Sequence, residues 1–198
     1  MNTVAKGDAF EDEVFQALKR ELEEGRLGLA PASARMFQKK GYYSKDREKE
    51  IVVDISIEVW RPGAENFSLL WVCECKDYES PIPVDDIEEF KAKLDQIAGK
   101  NVKGVVVTKR AFQSGALTFA RNQGIGLVRI MPSDQVSWFM DFMGVHSHDR
   151  KTLSSRDFRA ALTKENHQAK ERDFYATSDG RIYGGWHALL RYALQPDS

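Results

Sequence analysis

The chain has 198 residues, 42% hydrophobic and 30% charged, with a formal net charge of −1. That composition suits a soluble globular protein with length enough for a substantial core, built as one domain with an appendage or as two small domains. It argues against a chain that coats nucleic acid through global positive charge, and no apolar run approaches the ~18 residues a membrane helix needs.

The segment Met1–Asp8 lacks the apolar stretch of a secretory signal. Cys73 and Cys75 are the only cysteines. At i and i+2 on a strand they suit a disulfide poorly and fall short of a structural zinc set, so a reduced, cytoplasmic compartment is expected. No contact with a membrane is expected.

Asp8-Ala9-Phe10-Glu11 reads as a helix start, with Asp8 as N-cap and Glu11 at the capping-box position. Phe10, Val14, Ala17, Leu18 and Leu22 then form an amphipathic stripe that ends at Gly25 or Gly28. Residues 29–48 read as irregular, with Pro31 and a turn at Gly41-Tyr42-Tyr43. Alternation from Ile51 to Trp60 predicts a strand, with Ile51, Val53, Ile55, Ile57 and Val59 on one face and Asp54, Ser56 and Glu58 on the other. A turn over 61–66 leads to a second strand at 67–76, antiparallel to the first, on which Leu70, Val72, Glu74 and Lys76 share a face.

Pro81 and Pro83 break the chain. Asp85 and Asp86 open a helix whose inward stripe is Ile87, Phe90, Leu94 and Ile97, closed by Gly99. Val102–Thr108 is an apolar strand of the kind buried on both faces. A helix over 111–123 stops at Gly124, and 126–130 forms a further buried strand. The order is α-β-β-α-β-α-β, an α/β fold with a mixed β-sheet flanked by helices. Trp138, Phe139, Phe142 and Met143 suit a short closing helix. Residues 147–172 are polar and charged, a linker or an exposed helix. The segment 174–183 reads as a hairpin around Asp179-Gly180, followed by a helical stripe from Trp186 to Leu194. This tail is too small to bury a core alone and is expected to dock on the main domain, join a partner chain, or begin a further region. The expected division is therefore a domain at 1–146 and an appendage at 147–198.

The chemistry concentrates in Glu74-Cys75-Lys76 and in Asp54, some twenty residues upstream. A carboxylate and a lysine two apart at a strand end, with a second carboxylate on a neighbouring strand, can hold a divalent metal beside a water or a phosphate. Charged residues in such apolar strands are uncommon unless paired or metal-bound. Each has a plainer explanation when taken alone. Glu11 can be a capping acid, Asp54 a salt-bridge partner at a strand edge, and Glu74 and Lys76 can pair with each other.

Together with the element order, these residues resemble the PD-(D/E)XK nuclease superfamily. Asp54 matches the first acid, Glu74-Cys75-Lys76 the (D/E)XK tripeptide, and Glu11 the additional acid that many members supply from the first helix. The stretches 104–108, 111–116 and 124–128 resemble the Mrr-like restriction endonuclease branch. The resemblance spans about residues 6–132, and Val53 stands where the motif has proline.

It implies a restriction-endonuclease-like core and an Mg²⁺-dependent endonuclease acting on DNA, with Mn²⁺ able to substitute, of restriction or defence type. Asp54, Glu74, the backbone carbonyl of Cys75 and Glu11 would serve as metal ligands. Lys76 would orient or deprotonate the attacking water and offset phosphate charge. One site cuts one strand, so double-strand cleavage implies a homodimer or paired nicks. A Holliday-junction or repair nuclease of the same fold is the alternative activity, and a non-catalytic nucleic-acid-binding module the alternative class. Tyr42, Tyr43 and Trp60 are candidates for base stacking, and Gln96 and Lys100 for reaching the site or a phosphate, with packing and solvation the commoner roles.

Overall fold

A computed structural model describes residues 3–25, 33–97, 101–137, 155–170 and 172–194. The apolar run Leu69–Lys76 becomes β3, buried over its first six residues. It lies third in a seven-stranded sheet ordered β1-β2-β3-β4-β5-β8-β9. The first two strands are β1 (Ala34–Ser44) and β2 (Lys49–Val59), and β4 (Val102–Thr108) and β5 (Gly126–Ile130) follow β3. The far edge is β8 (Phe174–Ser178) and β9 (Arg181–Tyr183). Pairing is antiparallel through β1-β2-β3, parallel through β3-β4-β5, and antiparallel again through β8 and β9. A mixed sheet results, as the sequence predicts.

Helices cover both faces. On one face, α2 (Val84–Ile97), α3 (Ser114–Asn122) and α4 (Ser155–Thr163) pack Phe90, Leu94, Ala116, Ala120, Phe158 and Leu162 onto Leu70, Val72, Val106 and Leu127. On the other, α1 (Thr3–Glu23) and α5 (Trp186–Leu194) pack Phe10, Val14, Leu18, Leu189 and Leu190 onto Ile57, Trp71, Val105 and Val128. Two apolar covers explain why the central strands are continuous hydrophobic runs rather than alternating ones. Val84 follows Pro83, with Asp85 and Asp86 in the first turn where the helix dipole favours acids. Gly104 lets α2 approach β4 closely: a Cβ there would collide with Leu94 Cδ1 and the Phe90 ring.

Five expectations need correction. Residues 34–44, read as irregular, form edge strand β1, where Tyr42 and Ser44 are buried on either side of exposed Tyr43. The lysines and the glycine that obscured it are typical of an edge. Asp8 lies inside α1 rather than at its cap, so Glu11 is not a capping-box acid. The 111–123 helix begins only at Ser114, because Phe112 bridges to Ile82.

The fourth concerns the faces of β2. Ile51 and Val53 pack in the α2 layer, whereas Ile55, Ile57 and Val59 pack in the α1 layer. The strand changes face at Asp54. Ser56 and Glu58 are thereby turned into the protein, where Tyr42 Oη bonds Ser56 Oγ at 2.8 Å and Glu58 Oε1 at 3.0 Å. Lys40 and Trp60 Nε1 complete the shell of Glu58.

The 147–172 segment is neither wholly linker nor wholly exposed. From 155 it holds α4, whose Phe158, Ala161 and Leu162 are buried. Arg129 on β5 is fully buried and donates to the carbonyls of Ala161, Lys164 and Glu165, so it ties the end of α4 to the sheet. The hairpin turns at Asp179-Gly180, both at positive φ, and pairs with β5. Val136–Ser137 (β6) and Ala169–Lys170 (β7) add a two-stranded parallel pair. Trp138, Phe139, Phe142 and Met143 lie outside the described residues. Among the described residues no helix is long and apolar enough to cross a membrane.

Candidate active site

Asp54 sits where two strands part. β2 pairs with β3 from Val59↔Leu69 to Ile55↔Cys73, and there the ladder stops. β3 runs on beside β4 as far as Lys76↔Thr108. The amide of Cys75, left without a main-chain partner on β2, donates instead to Asp54 Oδ2 at 2.8 Å. A fork between strands, rather than a strand surface, therefore holds the carboxylate. Burial pushes the Asp54 carboxyl up to about 6, and the negative charges of Glu74 and, more weakly, Glu11 add to the rise. The Cys75 amide and Lys39 oppose it. An acid raised by burial and by a like-charged neighbour is typical of functional clusters.

Glu74 is buried at 5% exposure, on the face of β3 that looks toward α2. Two ammonium groups approach its Oε1: Lys93 from α2 at 2.7 Å and Lys76 at 3.3 Å. Lys76 also lies 3.4 Å from Asp86 Oδ1, and its Nζ stands 5.7 Å from the Tyr78 ring centre. Tyr78 donates its hydroxyl to Asp86 at 3.0 Å. Burial works against the charge on Lys76, but Glu74, Tyr78 and Asp86 outweigh it and hold the ammonium above the ordinary lysine value. Cys75 packs its side chain toward the α1 layer, leaving its backbone at the fork.

Glu11 faces the fork from α1, with its Oε2 2.7 Å from Lys39 Nζ. Asp8 shares that ammonium at 3.0 Å. The hydrogen bonds that Lys39 donates to Glu11 and Asp8 raise its pKa above the ordinary value. Lys39 stands opposite Asp54 in the β1–β2 register, between the pairs Gln38↔Ile55 and Lys40↔Val53, at φ 53°. Left-handed backbone at a non-glycine residue costs of order 1 kcal/mol, and such strain collects at functional sites.

Of the residues singled out from sequence, Asp54, Glu74 and Lys76 meet at the fork, and Glu11 reaches its edge through Lys39. Tyr42 is a core residue, Trp60 packs against Phe67 and Arg35, and Gln96 binds Arg47 at the hairpin tip. Lys100 lies outside the described residues. Sequence reasoning missed Lys93, Asp86 and Lys39. Lys93 carried a usable signal, because positions 86, 90, 93 and 97 follow the helical stripe that points inward, and a lysine there is out of place unless paired. Lys39 carried none, since its strand was not read as one.

Among the described residues no three histidine, cysteine or acidic side chains converge closely enough to hold a metal between them. The donor chemistry of the fork nevertheless fits a hard divalent ion. Asp54 and Glu74 offer oxygens alone, and their mutual repulsion is what such an ion would relieve.

Residues 28–132 match the sequence profile of a family described as "Restriction endonuclease", which spans the fork and all three of its central residues. No curated protein matches the chain. Among solved structures, a protein of unknown function aligns at 19% identity with a TM-score of 0.39, over 57% of this chain and 55% of that one. A repair endonuclease from Pyrococcus abyssi aligns at 18% identity with a TM-score of 0.35, over 58% and 45% respectively. The chain thus spans about half the length of those structures.

Proposed function

The chain belongs to this restriction endonuclease family, and on that premise we propose that it hydrolyses phosphodiester bonds in DNA with the help of Mg²⁺, for which Mn²⁺ substitutes. The convergence of Asp54, Glu74 and Lys76 at the strand fork carries the reading. Asp54 and Glu74 would hold the ion with the backbone carbonyl of Cys75, and Glu11 would contribute directly or through water. When bound, the ion polarises the phosphate and lowers the pKa of a coordinated water.

The protein's own groups do the rest. Lys76, paired with Glu74 and Asp86, would orient or deprotonate the attacking water and offset phosphate charge. The Cys75 amide fixes the Asp54 carboxylate so that its free oxygen can face the ion. Lys39 holds Glu11 at the rim of the fork.

In this reading residues 1–146 are the nuclease-like domain, and 147–198 are an appendage whose β8 pairs with β5 and whose α4 and α5 pack on the two faces of the sheet. The activity is of Mrr-like restriction or defence type, in the cytoplasm. A one-site chain would cut both strands as a homodimer or by paired nicks, and the homodimer is the form proposed. The purified protein should cut DNA in Mg²⁺ or Mn²⁺ and not in EDTA, while folded Asp54→Ala, Glu74→Ala and Lys76→Ala variants should not. Full activity in all three overturns the reading. Linear, methylated and branched substrates separate a restriction enzyme from a junction or repair nuclease.

A further inference from the structure

Glu74 is one carboxylate with two ammonium groups at the same oxygen, and the two differ in what else holds them. Lys76 has a second partner, Asp86, whose side chain is only 13% exposed. Lys93 has Glu89, at 3.6 Å and 64% exposed. An exposed pair at such a distance contributes little. Lys93 is therefore committed to the fork almost wholly through Glu74 Oε1, and the side chain is itself largely covered at 19% exposure.

That position matters once Glu74 serves as a metal ligand. Its charge is then shared with the ion and no longer balances Lys93. Lys76 keeps Asp86, whereas Lys93 is left as a largely covered cation beside the metal ligands with only a surface acid for company. A lysine is a compact charge on a flexible four-carbon stem, able to turn toward a new anion without moving its helix. The anion that a phosphodiesterase brings there is a phosphate. The rigid packing of Phe90, Leu94 and Ile97 fixes the stem of α2 against the sheet, so the charge is delivered from a fixed base.

We propose that Lys93 is a second functional lysine of the site, which leaves Glu74 when the metal-loaded site takes DNA and binds a phosphate at or next to the scissile bond. This rests on the nuclease reading above and goes beyond the acid-acid-lysine motif, which contains only Lys76.

A phosphate contact has a signature that a structural lysine lacks. Each phosphate neutralised by a lysine adds about 0.9 to the slope of log affinity against log salt for duplex DNA. The test is fluorescence anisotropy of the full chain with a labelled 30-base-pair duplex at several salt concentrations. Ca²⁺, an oxygen-seeking ion, fills the site in one series and EDTA replaces it in the other, with a gel confirming that the probe stays intact.

In Ca²⁺, Lys93→Met should weaken binding about tenfold and lower the salt slope by about one, while Lys93→Arg keeps the wild-type slope. In EDTA, where Glu74 still holds Lys93, the slopes of wild type and Lys93→Met should agree. An unchanged slope for Lys93→Met in Ca²⁺ overturns the proposal. Weaker Ca²⁺ dependence with an unchanged slope overturns it too, and reduces Lys93 to a positioning residue for Glu74. If the wild-type chain neither binds nor cuts DNA, the nuclease reading itself has failed, and the proposal with it.

Discussion

Replacing Asp54 by asparagine should stabilise the protein while abolishing its activity. The fold holds this carboxyl at about 6 against an ordinary 3.8, chiefly because it is buried and secondarily because Glu74 is near. That rise corresponds to about 3 kcal/mol between the two protonation states. The sign follows from linkage. The folded pKa lies above the unfolded one, so the fold favours the protonated acid. The stabilisation is complete below about pH 4 and is lost as pH rises through 6.

At pH 7.5 wild type therefore carries an unfavourable ionised group. Asparagine removes that charge and keeps an oxygen for the Cys75 amide. The bond becomes neutral, which gives back ~1 kcal/mol. A net gain of about 1–2 kcal/mol remains, or a Tm about 5 °C higher for a chain of this size. Thermal unfolding in EDTA at pH 7.5 and pH 4 checks it. Asp54→Asn should melt higher at pH 7.5 and level with wild type at pH 4. A variant that melts at or below wild type at pH 7.5 refutes the reasoning, because burial and Glu74 would then not disfavour the Asp54 carboxylate.

Ion binding should depend on pH for the same reason. Each ion must displace a proton from Asp54, so Mn²⁺ affinity measured by calorimetry should fall about tenfold per pH unit below pH 6 and level off above it. Lys76→Met should cut the cleavage rate by about 10²-fold or more, read by single-turnover kinetics, with the melting curve little changed. Gly104→Ala should cost about 1–3 kcal/mol in urea unfolding, because its Cβ would meet Leu94 and Phe90 and push α2 off the sheet. Arg129→Met should cost about 3 kcal/mol, because it leaves the carbonyls at the end of α4 without donors, and limited proteolysis should then reach residues 155–170 first.

The central parallel strands were legible because burial on both faces writes itself as continuous apolar runs: 102–108 and 126–130 fall where the sequence places them. The fork residues were legible for the complementary reason, since Asp54 and Glu74 interrupt such runs and an acid there needs a partner. What hid from sequence was whatever depends on an edge or on another element. The strand β1 alternates poorly because one side of it faces solvent and its charges serve Glu11, Asp8 and Glu58. The change of face at Asp54 is set by β3 parting from β2, which no local pattern records. The helix α4 looked like solvated chain because its partner for polar groups, Arg129, lies some thirty residues away. Lys93 stayed hidden because a lysine on a helix is ordinarily at the surface, and only the register of the inward stripe marks it as different.

The most direct test is an anomalous scattering map from crystals grown with Mn²⁺. An ion bound between the carboxylates of Asp54 and Glu74, with its peak lost in Glu74→Ala crystals, is the result expected of a metal-dependent nuclease site at the strand fork. A fully ordered fork with no peak between those two carboxylates, in crystals that show Mn²⁺ elsewhere, would contradict it.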